Sequence, residues 1–294
     1  PSTQQIFEIE GSMTALFFVQ TILNGLTIGA VYVIMALGFT LIFGIVRVVN
    51  FAHGEFYMLG AFLVYMLFGI WKVVDYLPAV LISAVSIGLM GMVFERTVFR
   101  PIRANELQVL ITSFAISIGL QQIGVLFWGA EDLSIPPPYT GTLQWRQFVF
   151  PYDRVIVVGY TILILIGFYY LLKRTKIGLA MEAVVQDKEA AQIQGIRVNY
   201  IYLISFGIAT LLAGAAGGLV GPIFALTPYI GGLPLVRAFM AVILGGMGNV
   251  TGAVVGGLLI GVSESFLATF FGGAFAAIMT FIVIMIILIV KPSG

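Results

Sequence analysis

The sequence predicts an all-α, polytopic membrane protein of eight to ten transmembrane helices, some of them broken or re-entrant. Three observations carry that prediction. Of 294 residues, 60% are drawn from AVILMFWYC and only 9% are charged, whereas a soluble domain has about 45–50% apolar and about 25% charged residues. Too few ionic groups remain to cover a water-facing surface. Apolar stretches also recur along nearly the whole chain, many close to the roughly 20 residues one span needs. The polar segments between them are short, which excludes a large extramembrane enzyme domain. A formal charge of +1 offers no basic face to nucleic acid. Zero cysteines exclude disulfides, thiolate metal sites and cysteine nucleophiles, and the single histidine, His53, cannot form a multi-histidine metal cluster. No catalytic residue and no bound metal are expected.

Residues 1–12, PSTQQIFEIEGS, are polar and read as an N-terminal extension, native or a cloning remnant, ahead of a single transmembrane domain over 13–294. The run from Ala15 is too long, and lacks the basic flank, for a cleaved signal peptide. Apolar stretches follow at 15–49, 56–71, 78–94, 107–128, 155–172, 200–224, 236–247, 252–270 and 275–290. The first is long enough for one tilted helix or two short ones. The seventh is short for a full span and fits a re-entrant or broken segment packed inside protein. Short cytoplasmic loops accumulate Lys and Arg, so Arg96, Arg100 and Arg103, and then Lys173, Arg174, Lys176, Lys188 and Arg197, belong inside. The loop 129–154, with Pro136-Pro137-Pro138, falls outside, and Lys291 favours an inside C-terminus.

Glycines crowd between Gly214 and Gly261. Gly214/Gly218, Gly248/Gly252/Gly256 and Gly257/Gly261 sit four apart, so on a helix each set lines one face and admits a neighbouring backbone. Two readings fit: ordinary helix packing, or discontinuous helices beside a solute path. A second punctuated segment, FGIVRVVNFAHGE over 43–55, suits either an interfacial loop or a buried element in which Arg47 pairs with Glu55 and His53 lines a path. An ionised group at a helix centre costs about 2.5–3.5 kcal/mol on insertion scales. Glu264, flanked by Ser263 and Ser265, must therefore face protein or water, in a packing bond or along the path. The candidate path or gate residues are Asn50, His53, Gly54, Glu55, Gly245, Gly246, Gly248 and Glu264. Glu95-Arg96 reads as a helix-end ion pair.

The longest polar stretch placed inside is 173–199. From Gly178 to Gln194 its composition is helical, with Ala180, Ala183, Val184, Ala191 and, at its edge, Ile193 tending to one face and Glu182, Asp187, Lys188 and Glu189 wet; Gly195 stops it as a C-cap glycine does. A helix lying on lipid usually has large apolar anchors and a basic face. Small alanines and mixed charge instead suit a protein groove, which points to a cytoplasmic partner subunit.

The segment NGLTIGAVYVIMALGFTLIFGIVRVVNFAHGE (24–55), the pattern GLAMEAVVQDKEAAQIQGI, the PYIGG at Pro228–Gly232 and RAFMAVILGGMGNVTGAVVGGLLIG from Arg237 resemble the LivH-type permease subunit of bacterial branched-chain amino acid ABC importers, over about residues 16–292. The resemblance implies a multi-pass protein of the bacterial inner membrane in contact with a homologous LivM-type permease, two cytoplasmic ATPases and a periplasmic substrate-binding protein. It implies no cofactor on this chain, with ATP and Mg held by the ATPases. It makes Gly178–Ile196 the ATPase-coupling helix, through Gly178, Ala180, Glu182, Ala183, Asp187, Ala191, Gly195 and Ile196. The family usually continues a few residues past the position matching Gly294. Relatives of this pattern also carry urea and short amides, so the small-molecule cargo stays open between those and a neutral amino acid. The chain has no GxxxxGK[ST] of its own, so the energy must come from elsewhere. A zwitterionic solute would be met by oriented backbone amides or a half-helix N-terminus, first sought at the late glycine breaks. The rival is an ion-coupled secondary carrier, for which Glu264 and Glu55 are the acidic candidates.

Overall fold

The computed structural model describes residues 3–46, 49–145 and 148–290, with residues 3–16, 46, 144, 145, 148, 284, 287, 288 and 290 by backbone alone. Helix α1 (Thr3–Val46) is continuous, so the first apolar stretch forms one helix rather than two. After residues 49–52 the chain enters α2 (His53–Val64), prolonged by a π-helical turn at Tyr65–Ile70. Helix α3 (Tyr76–Phe94) passes through a π-helical turn at Glu95–Phe99 into the single turn α4 (Arg100–Ile102), and α5 (Glu106–Trp128) follows. An antiparallel hairpin of β1 (Thr142–Trp145) and β2 (Phe148–Pro151) leads into α6 (Tyr152–Arg174). Two short helices, α7 (Lys176–Gln186) and α8 (Lys188–Ile193), precede α9 (Val198–Val220), α10 (Gly232–Leu244), α11 (Val250–Phe271) and α12 (Gly273–Val290).

Among the described residues, seven helices are long and apolar enough to cross a membrane, and Gly232–Leu244 and Gly273–Val283 are shorter apolar helices. The chain is a polytopic all-α membrane protein. The spans in α1 and α9 are 78% buried against 22% in α5 and 17% in α6, so α1 and α9 are the central pillars and α5 and α6 form the rim. Glycine makes these central crossings close. A Cβ on Gly25 of α1 would lie 2.6 Å from Val262 Cα of α11, and one on Gly88 of α3 would lie 3.1 Å from Gly207 O of α9. Gly217 abuts the Tyr57 carbonyl and Gly261 abuts the backbone of Gly29. Without a hydrophobic force between helices in lipid, backbone proximity and dispersion hold the bundle.

Contacts between distant segments fix which ends share a face. Arg100 and Arg103 donate to Asn199, so the α3–α5 connection lies beside the chain leaving α8. These are the two basic loops, and both belong inside by the loop-charge rule. At the other face, Asn24 accepts from Arg154 and Gln20 donates to Val149 O, which puts the start of the first span outside. Leu133 and Leu226 exchange backbone hydrogen bonds of 3.0 and 2.7 Å, pinning the outer loop to the segment that follows α9. Lys291 lies outside the described residues.

One arrangement occurs twice. Pillar α1 is followed by a non-helical return and the short α2; pillar α9 is followed by the return 221–231 and the short α10. Each short helix begins partway along the bundle. His53 packs beside Gly38, eight residues short of the inner end of α1, and Gly54 at the start of α2 meets Gly231 at the start of α10. From that shared point α2 runs alongside α9, Gly60 by Gly214 and Gly218 by Val64, toward the outer loop, where Gly69 meets Pro136. Helix α10 runs the opposite way, to the turn at Gly245. The seventh apolar stretch is thus a half-helix reached by a re-entrant segment, as its length suggested.

Candidate functional site

The segment read as NFAHGE is buried, not an interfacial loop. Buried backbone amides need partners, and the sequence supplies them. Asn50 Oδ1 accepts from Ala52 N at 3.1 Å, Asn50 O accepts from His53 N at 3.2 Å, and Phe51 N donates to Ser113 Oγ of α5 at 3.1 Å. These bonds turn the chain into α2. His53, Gly54 and Glu55 then fan out from one helical turn. The His53 ring lies against Gly38 and makes an edge contact with Phe39, ring centroids 6.1 Å apart. A Cβ on Gly54 would sit 2.7 Å from Gly231 O. Glu55 Oε1 accepts from Ser117 Oγ at 2.9 Å and from Gln121 Nε2 at 2.8 Å. The expected partner Arg47 lies outside the described residues.

Glu264 is held in a three-helix cluster. Arg237, in α10 and 1% exposed, donates from Nε and Nη2 to the two Glu264 oxygens, both at 3.0 Å, and Tyr32 of α1 donates its hydroxyl to Glu264 Oε2 at 3.0 Å. The guanidinium also lies 5.3 Å from the Phe281 ring centroid. A bidentate pair suits a planar guanidinium, and it ties α1, α10 and α11 together. Sequence reasoning missed Arg237 as a site residue. The available signal was a lone arginine within an apolar run, which needs a carboxylate partner.

The late glycines lie elsewhere. Gly245 packs on Gly252, while Gly246 and Gly248, with φ of 87° and 86°, form the turn between α10 and α11. That turn is at the far end of a 13-residue helix from Gly231, about 20 Å away at 1.5 Å per residue. Asn249 closes it by accepting from Gly252 N at 3.1 Å. The candidate path residues therefore divide between the α2–α10 junction, the Arg237 cluster and an inner-face turn. The break in the bundle falls at 221–231 rather than at GGMGN.

Two expectations about charged segments need correction. Glu95 pairs with Arg100 at 2.8 Å and Arg103 at 3.6 Å, not with Arg96. The π-helical turn at Glu95–Phe99 brings residue i+5 over the carboxylate, whereas adjacent residues diverge. The helix expected over 178–194 is broken at Asp187, whose carboxylate accepts from Glu189 N and Ala190 N and caps α8. Thr175 caps α7 through Gly178 N. Gly178 is wedged against the backbone of Leu171 and Leu172, and Met181, Val184 and Ala191 are buried. Ala180, Ala183 and Ile196 are half-buried on the same side. The small-residue face thus docks on the chain's own bundle. Facing outward are Leu179 (59% exposed) and Ile193 (84%), with Glu182 bound to Lys173 at 3.3 Å, Asp187 and Gly195 at φ 84°.

Comparison with known proteins accords with this architecture. BraD of Pseudomonas aeruginosa, described as a high-affinity branched-chain amino acid transport system permease protein, is 31% identical across 94% of this chain and 95% of its own. LivH of Escherichia coli (strain K12), similarly described, is 30% identical across 95% of each. LivM of Salmonella typhimurium, a permease protein of the same kind of system, is 25% identical across 91% of this chain and 68% of its own. A family profile covers residues 21–290. With seven spans and this match, the chain belongs to the family described as branched-chain amino acid transport system, permease component.

Proposed function

We propose that this permease moves a small neutral amino acid, of the branched-chain type, as one half of a permease pair driven by separate cytoplasmic ATPases and fed by a substrate-binding protein. The amino acid cargo is that named for BraD and LivH. Detectable similarity to LivM supports a homologous partner permease. The observation that carries the coupling is the α7–α8 connector. Its inner side is anchored to the bundle through Gly178, Met181, Val184 and Ala191, and its outer side presents Leu179 and Ile193 among charges. A rigidly docked element with an unfilled apolar outer face suits the transfer of a partner's movement into the spans. Small apolar residues hold it to its own chain, and the larger ones serve the partner.

The test is uptake of labelled leucine by vesicles holding the complex co-purified from native membranes, with urea and acetamide as competitors. Leu179→Arg is expected to lower solute moved per ATP at equal membrane abundance. Ala191→Arg is expected to lose the docked α8 and reduce assembly. Vesicles of this chain alone are expected not to accumulate leucine. Accumulation by the chain alone, or full coupling in Leu179→Arg, overturns the reading, and preferential uptake of urea overturns the cargo.

A further inference from the structure

An open groove of about 530 Å³ lies where the chain leaves α8 and enters α9, lined among others by Arg100, Gln192, Arg197, Asn199, Tyr200 and Leu203. Small-ligand sites span about 300–1,000 Å³. One end of the groove is cationic. Arg197 is exposed and has no carboxylate within ion-pair distance among the described residues. Arg100 commits Nε and Nη2 to Glu95 and to the Asn199 carbonyl, while its Nη1 takes no partner among the described residues and its side chain stays 30% exposed. Arg103, bound to the Asn199 side chain, brings three guanidiniums to the one carboxylate of Glu95. They gather at the start of the 23-residue helix α9, whose N-cap residue, Arg197, provides no side-chain cap. A helix start favours anions and disfavours cations, so this cluster of charge calls for a negative group from outside the chain.

The other end is apolar and lies at membrane depth. Leu203 is five residues into the α9 span, about 8 Å below its start at 1.5 Å per residue. Tyr200, 54% exposed, comes between Leu203 and Arg197 along the helix. A phenol between a cationic rim and hydrocarbon is the usual order at a bilayer interface. A cytoplasmic subunit would meet the arginines but would not descend to Leu203, whereas a lipid carries a charged head and apolar chains together. We propose that the groove holds the phosphate of an anionic phospholipid from the inner leaflet. Arg197 and Arg100 Nη1 donate to the phosphate oxygens, and the chains pass Tyr200 and Leu203. Guanidinium forks match phosphate, and basic pockets between spans on the cytoplasmic side take such head groups. The bound lipid ties the exit of the α7–α8 connector to the bilayer. The site does not depend on which solute is carried.

The test is native mass spectrometry of the purified chain from micelles holding equal amounts of phosphatidylglycerol and phosphatidylcholine, with the retained lipids counted. The parent is expected to retain phosphatidylglycerol preferentially. One arginine beside an anionic lipid is worth roughly fivefold in affinity, so Arg197→Gln is expected to cut that preference about fivefold. Arg174→Gln removes the same charge from an exposed position outside the groove and is expected to keep it. Leu203→Trp fills the membrane end without changing charge and is expected to lower it, which decides the matter if Arg197→Gln fails to fold. No preference in the parent, an unchanged preference in Arg197→Gln, or equal losses in Arg197→Gln and Arg174→Gln overturns the site. Displacement of the lipid by millimolar inorganic phosphate assigns the groove to a soluble anion and overturns the lipid. In the complex from native membranes, an Arg197→Gln chain that sheds its ATPase yet keeps the lipid preference gives the groove to the partner protein, and overturns the proposal as well.

Discussion

Removing the Glu264 charge alone strands a guanidinium in the bundle interior. Arg237 is 1% exposed and Glu264 retains 19% of its side-chain exposure. Breaking a buried pair from one side costs about 3–5 kcal/mol, and the partial exposure of Glu264 places Glu264→Gln near about 3 kcal/mol. At roughly 2–4 °C per kcal/mol for large single domains, the melting midpoint falls by about 6–12 °C. Tyr32→Phe deletes one hydrogen bond to a charged acceptor and leaves the bidentate pair intact, a loss of about 1.5 kcal/mol. Replacing both ions, Arg237→Met with Glu264→Leu, removes the desolvation cost together with the attraction, and is expected within about 1 kcal/mol of the parent. The assay is thermal unfolding of the purified chain in detergent, followed by tryptophan fluorescence. A parental midpoint for Glu264→Gln, or a paired replacement worse than the single variants combined, refutes the reasoning.

Two further outcomes follow from local geometry. Gly217→Ala drives a methyl into the Tyr57 carbonyl and costs at least about 1–3 kcal/mol of overpacking. Gly159→Ala meets nothing within 4 Å and is neutral or gains about 0.5–1 kcal/mol of helix propensity; equal melting midpoints for the two variants contradict the close-approach argument. Asp187→Ala removes the cap of α8, worth about 1 kcal/mol. Amide exchange over 188–194 should then quicken about fivefold while α7 keeps its protection, and uniform quickening across both helices argues against α8 being a separately capped helix.

The spans were legible because membrane solvent demands long apolar runs, and even the half-helix α10 declared itself by its length. Loop charge likewise placed the two arginine- and lysine-bearing connections on one face, where Asn199 joins them. What sequence order concealed were partners supplied across distance. The Oε1 of Glu55 is met by Ser117 and Gln121, 62 and 66 positions later, while its Oε2 is buried without a hydrogen-bond partner among the described residues. Arg237 finds Glu264 only because α10 and α11 fold back on each other at the Gly246 and Gly248 turn. The connector was misread for a different reason. Alanine marks a close contact without saying whose surface makes it, and Ala191 faces its own chain. The break at Asp187 did carry a local signal, an acidic cap ahead of Lys188-Glu189, which the continuous apolar face outweighed.

The meeting of Gly54 with Gly231 also constrains how the protein is made. Helix α10 is too short to cross, and the span beginning at His53 is the least apolar of the seven, so neither is a strong stop for the insertion machinery. Their returns carry peptide groups that hydrocarbon does not tolerate bare. Both short helices must therefore settle late in biogenesis, after α1, α9 and α11 have built a protein-lined berth. A defect in any of those three should leave the short helices exposed to quality-control proteases before transport is ever attempted.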